Sequence, residues 1–121
     1  MTEKEAFIEM MKKRTKAFAV DIIKFCDSLK PSKASSVIVY QLVKSATSTG
    51  ANYRAACRAR SKKEFFSKLS IVVEEADESE YWLEVIKESN LTENINDLER
   101  LLSEILEIVK VVSKARNSIQ M

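Results

Sequence analysis

Apolar residues recur along this chain at steps of three and four, in four blocks separated by short polar breaks. The first block places Phe7, Met11, Thr15, Phe18, Ile22, Phe25 and Leu29 on one stripe. Steps of four, four, three, four, three and four mark an amphipathic helix with coiled-coil-like spacing. They predict a helix from about Thr2 to Leu29. Lys30-Pro31-Ser32 ends it, because proline disfavours helix at the preceding residue and cannot donate a backbone hydrogen bond.

The second helix is expected from Ser32–Ala34 to about Ala59, with Ile38, Leu42, Ser45, Thr49, Asn52 and Ala56 on one face. Its middle, from Ser45 to Ala51, is unusually small. Small side chains let a neighbouring backbone come close, which gives Gly50 a packing reason to outweigh its helix cost of about 1 kcal/mol. Asn52 reads as a hydrogen bonder between helices rather than a ligand contact. The third helix opens on Ser61-Lys62-Lys63-Glu64, the pattern of a capping box. Phe65, Leu69, Val72, Ala76, Ser79, Leu83 and Ile86 follow at heptad spacing. Asn90-Leu91-Thr92 is the next break. A fourth helix is expected from about Glu93 to Arg116, with Ile95, Leu98, Leu102, Ile105, Val109 and Val112 on one stripe.

Helices of this length each span about 36–42 Å, and short loops make sequential neighbours antiparallel. The expected fold is all-α: one domain over residues 1–121, an antiparallel up-down-up-down four-helix bundle. Leu101, Leu106, Ile108 and Val111 widen the apolar face of the fourth helix. That width suits more than one neighbour, and so a homo-oligomer closed by head-to-tail contacts. Packing of the whole face within one bundle is the alternative.

Composition narrows the function classes. One Gly and one Pro stand where average usage gives about 8 and 6. A sandwich, a barrel or a glycine-rich nucleotide fold needs more of both. With 45% hydrophobic residues in periodic order, the chain is not of the disordered class. Histidine is absent, which removes the usual base near neutral pH and the commonest metal ligand. Cys26 and Cys57 are too few and too far apart for a zinc site, and read as small hydrophobes. The acidic run Glu74-Glu75-Ala76-Asp77-Glu78 lacks the Glu-x-x-His partners of a di-iron bundle. No catalytic, cofactor or metal residues are therefore assigned, and no enzyme activity is expected. No long apolar run or leader-like segment is present, so the expected location is the cytoplasm, away from membranes.

Charge changes the picture more. Residues 1–68 hold 15 Lys and Arg against 6 Asp and Glu, whereas residues 69–121 hold 5 against 12. Arg54, Arg58, Arg60, Lys62 and Lys63 crowd into ten residues without an acid. Lys44, Arg54 and Arg58 share one helix face, and Lys12, Lys13, Arg14 and Lys16 form a second basic group. Arginine suits bidentate contact with phosphate, so the corner between the second and third helices is a candidate nucleic-acid surface. A solvated face, or a contact between oppositely charged subunit faces, is the competing reading. Tyr53 is the one aromatic close enough in sequence to stack on a base, so weak sequence preference is expected.

The stretch from Gln41 to Phe65 resembles the four-helix bundle protein family encoded in intervening sequences of bacterial 23S ribosomal RNA genes. The resemblance lies in a small-residue helix, then Asn52, then Arg58-Ala59-Arg60-Ser61, then Lys62-Lys63-Glu64-Phe65. It continues through an acidic segment to Trp82-Leu83 and covers roughly Ala17 to Leu91. Many members carry an acid two residues after the Tyr53 position, where this chain has Ala55. The resemblance implies a homopentamer, no enzyme activity and a link to RNA. A related group, the accessory proteins of diversity-generating retroelements, is similar in build and implies reverse transcriptase as an alternative partner.

Overall fold

A computed structural model of the chain describes residues 1–120. Four helices make up the fold: α1 (Glu3–Cys26), α2 (Lys33–Ala56), α3 (Lys62–Glu88) and α4 (Ile95–Asn117). Each helix packs on its sequence neighbours, and α1 meets α4 to close the ring. Cross-helix pairs fix the directions. Arg14 reaches Glu104 while Asp21 reaches Arg100, so α1 and α4 are antiparallel. Lys87 pairs with Glu99 across α3 and α4, and Ser45 with Ser79 across α2 and α3. The result is an up-down-up-down bundle.

The predicted stripes form the core. Met11, Ile22, Leu42, Leu69, Leu83, Leu98 and Ile105 are completely buried. Each such side chain stabilises by about 1.5–3 kcal/mol relative to exposure. The small segment of α2 packs as expected. A Cβ on Gly50 would stand 3.4 Å from the Thr15 carbonyl carbon and oxygen, so the α1 backbone lies at contact distance. Beside it, buried Ser79 donates to Ser45 Oγ at 2.9 Å.

Helix ends follow local chemistry. Thr2, Ser32, Ser61 and Asn94 each accept a backbone N–H as N-cap residues. The reciprocal capping box belongs to Ser32 and Ser35, not to Ser61 and Glu64. Ser61 accepts the Glu64 N–H at 3.1 Å, but the Glu64 carboxylate turns to Arg60. α1 ends three residues earlier than its stripe suggests. Leu29 is still buried, because it leaves the helix and pairs with Thr92 in an isolated antiparallel bridge. Asn90 takes the left-handed conformation, φ 55°, after α3. There Leu91 N–H reaches Ile86 O and Asn90 N–H reaches Lys87 O, which forms a Schellman close.

Three expectations change. Phe7 and Ile95 sit on their stripes yet are exposed, because both lie in end turns with fewer neighbours. The broad face of α4 is mostly consumed inside one bundle: α4 packs on both α3 and α1, Leu101 and Ile108 are fully buried, and of its large apolar side chains only Ile95 and Leu106 are exposed among the described residues. That width is therefore not the reason for a further subunit. Asn52 donates to the Ser48 carbonyl of its own helix at 2.9 Å rather than across to another.

Candidate nucleic-acid interface

The bundle has two unlike ends. One end gathers the start of α1, the end of α2, the start of α3 and the end of α4. All five residues of the basic corner lie there. Arg54 is exposed in the last turn of α2, and Lys62 and Lys63 are exposed in the first turn of α3. Arg58 and Arg60 stand in the connection between the two helices. α2 stops at Ala56, so Arg58 is a turn residue and does not continue the helix face of Lys44 and Arg54.

These charges are largely free. Among the described residues, Arg54, Arg58, Lys62 and Lys63 have no carboxylate within ion-pair distance. Arg60 meets Glu64 at 3.6 Å, with the Arg60 side chain still 90% exposed. An exposed pair of this kind is worth at most about 1 kcal/mol and yields readily to a phosphate. The second basic group is different. Arg14 makes a two-pronged bond to Glu104 at 2.8 Å on each arm, and that partner holds its guanidinium pKa above the usual value. Lys12 pairs with Glu9 at 3.4 Å. Only Lys13 and Lys16 of that group are left without an ion pair among the described residues.

The topology adds cations that spacing did not join to the corner. Lys4 comes from α1 and Lys114 from α4. Arg116 lies 5.8 Å over the Phe66 ring, at the distance of a cation–π contact. Acids are present too: Glu3 and Glu5 occupy the first turn of α1, where the helix dipole favours them.

A cleft of about 770 Å³ opens in the same end. Its walls include Phe7, Ile8, Tyr53, Phe65, Leu69, Ala115 and Ile119, from all four helices and the segment after α4. Exposed Lys4, Arg60 and Lys62 stand among its lining, which contains no acid among the described residues. Tyr53 is 4% exposed, so it is a wall and not a free stacking platform. Phe7 is 38% exposed, and Phe65 is half-buried. Sequence spacing could not join Phe7 to Phe65, since nearly half the chain separates them.

Other chemistry is sparse. Cys26 and Cys57 are free, half-buried and at opposite ends of the bundle. Burial pushes the Cys26 thiol up to about 11, and it also raises the Cys57 thiol. Among the described residues, no group of three or more Cys, Asp and Glu side chains is placed to hold a metal ion. No described helix is long and apolar enough to cross a membrane.

Comparison with known proteins agrees with this build. No curated protein matches the chain. A crystal structure of a protein of unknown function from the S23 ribosomal protein family of Bacteroides thetaiotaomicron VPI-5482 superposes with a TM-score of 0.82. The two share 31% identity over 92% of this chain and 98% of the other. Residues 9–114 match the family described as 23S rRNA-intervening sequence protein. With that match spanning nearly the whole bundle, the chain belongs to the 23S rRNA-intervening sequence protein family.

Proposed function

We propose that this protein is a non-enzymatic RNA-binding protein of the cytoplasm that holds phosphates on its open-end basic corner. The observation that carries this reading is the grouping of Arg54, Arg58, Arg60, Lys62 and Lys63. All five are exposed at one end of the bundle, and four lack an acid partner among the described residues. The name of the family supplies the nucleic acid: its members are tied to an RNA gene.

The affinity is electrostatic, so it falls with salt. For single strands log K drops by about 0.7 per neutralised phosphate for each decade of salt. Three or four engaged side chains give a slope of about −2 to −3. Replacing Arg54, Arg58 and Arg60 together by Gln should lower affinity for single-stranded RNA more than tenfold at low salt, about 1.4 kcal/mol. Helix content and assembly should stay unchanged. Equal binding by the triple variant would return the corner to the role of a solvated face. Loss of assembly would make it a subunit contact.

A ring of identical subunits, five in number, is the assembly we propose, and one feature of the surface favours self-association. α2 contains no acid, and its outward side shows Val37 and Tyr40 with more than half their surface exposed. α3 turns Glu74, Asp77, Glu78 and Glu84 to solvent. A basic, partly apolar face and an acidic face on one subunit are the two unlike patches that a head-to-tail ring requires. Repeating the basic corner around a ring axis would raise avidity for one RNA that reaches several copies. Light scattering that shows a monomer at micromolar concentration would exclude the ring.

A further inference from the structure

We propose that the open-end cleft takes an unstacked base of single-stranded RNA, with the flanking phosphates on Arg60 and Lys62. The proposal rests on the RNA reading above and gives it a chemical selectivity that the basic corner alone lacks. Phosphate contacts position a nucleic acid but do not tell a base-bearing strand from its bare backbone.

Three features meet at this place. The first is size and lining: about 770 Å³ lies within the range of ligand sites, and the walls are predominantly apolar. The second is aromatic surface. Phe7 is 38% exposed at the cleft, an unusual setting for a phenylalanine, and Phe65 lines it half-buried. Bases stack on such rings with little regard to sequence, because every base has a π-face. The third is charge. Arg60 and Lys62 belong both to the cleft and to the basic corner, so a strand lying on the corner passes the cleft mouth. The lining holds no acid among the described residues to repel it. A duplex keeps its bases stacked and paired, so only a single strand or an unpaired end can fill the cleft.

The test compares a short oligoadenylate with the same ribose-phosphate strand carrying abasic residues, each titrated onto the full chain at one low salt. The parent should bind the base-bearing strand roughly tenfold tighter, the scale of one stacked base. Phe7→Ala combined with Phe65→Leu should abolish that preference and leave the salt slope unchanged. Leucine keeps an apolar side chain against the core while removing the aromatic ring. If the double variant fails to fold by circular dichroism, Phe7→Ala alone should still halve the preference or more. Equal affinity of the parent for the two strands overturns the cleft and leaves the basic corner standing. A preference that survives both substitutions also overturns it. Binding of laurate that leaves oligoadenylate affinity untouched assigns the cleft to an acyl chain instead. Failure of the parent to bind either strand overturns the cleft and the RNA reading together.

Discussion

The same four helices finish at two ends, and the two ends are built in opposite ways. An up-down-up-down chain has three connections, two at one end and one at the other. Where two connections meet, they zip together. Lys30 N–H donates to Leu91 O at 2.8 Å, Leu29 bridges Thr92, and Ser28 and Thr92 share a hydroxyl bond of 2.8 Å. That end is sealed by backbone and hydroxyl pairs beneath Phe25. The other end has only the connection from Cys57 to Ser61, and among the described residues no hydrogen bond or ion pair ties it to the start of α1 or the end of α4. It stays open, carries the basic corner of Arg54, Arg58, Arg60, Lys62 and Lys63, and exposes Phe7. Connection count alone thus separates a sealed end from an open one.

The sharpest way to break that contrast uses one residue type on one helix. Phe25 is 1% exposed and Phe7 is 38% exposed. Phe25→Ala should destabilise by about 3–5 kcal/mol, as buried aromatic truncations do. Phe7→Ala should cost less than about 1 kcal/mol, because it leaves no enclosed cavity. Urea unfolding of both variants measures the difference. Similar losses would mean that the open end is as closely packed as the sealed one.

A smaller effect tests the seal itself. Thr92 Oγ1 bonds the Ser28 hydroxyl and accepts the Asn94 N–H at 3.0 Å, and Thr92 is 4% exposed. Thr92→Val keeps the shape and removes the oxygen. Stranding these partners should cost about 1–3 kcal/mol. Hydrogen exchange should rise at Lys30 and Asn94 first, and amides near Arg58 should not respond. A uniform response at both ends would show that the connections do not act as a local clasp.

The core and the breaks between helices were largely legible in the sequence; the pairing that seals one end and the cleft that opens the other were not. Period-3.6 patterning fixes which face of each helix is buried, and proline and Asn90 fix the breaks. Hence Phe18, Leu42, Leu83 and Ile105 fell where expected. Patterning does not say where the last turn loses its neighbours, so Phe7 and Ile95 were assigned to the core. Nor does it say how many helices flank a broad face, and α4 buries more of its width inside the bundle than spacing suggested. The basic corner was visible because its charges are adjacent in sequence. The cleft beside it was not, since Phe7, Phe65 and Ile119 meet only through the topology. Tyr53 looked free to stack because sequence proximity carries no burial, and its packing among the helices removes it from that role.

The smallest effect separates the acidic flank from the basic corner and bears on assembly. Glu75 is half-buried on α3, and its pKa is raised above 4.5, chiefly by burial and then by Glu78, with Lys44 opposing. Glu80 is raised by burial and by Glu84 and Asp77. A carboxyl whose folded value lies above its unfolded value penalises the folded state while it is charged. The penalty is present at neutral pH and fades as pH falls through the raised value toward 4.5. In an isolated bundle, Glu75→Gln should therefore gain about 0.2–0.5 kcal/mol at neutral pH, the scale of a relieved like-charge helix pair in solvent. The gain should vanish in acid, where the parent carboxyl is protonated as well. Assembly reverses the sign. If the acidic face of α3 meets the basic face of α2 on a neighbouring subunit, Glu75 gains a second cation beyond Lys44. Its loss then weakens the ring at neutral pH and lowers the thermal unfolding midpoint. The sign of that single substitution at neutral pH distinguishes a solvated flank from a subunit contact.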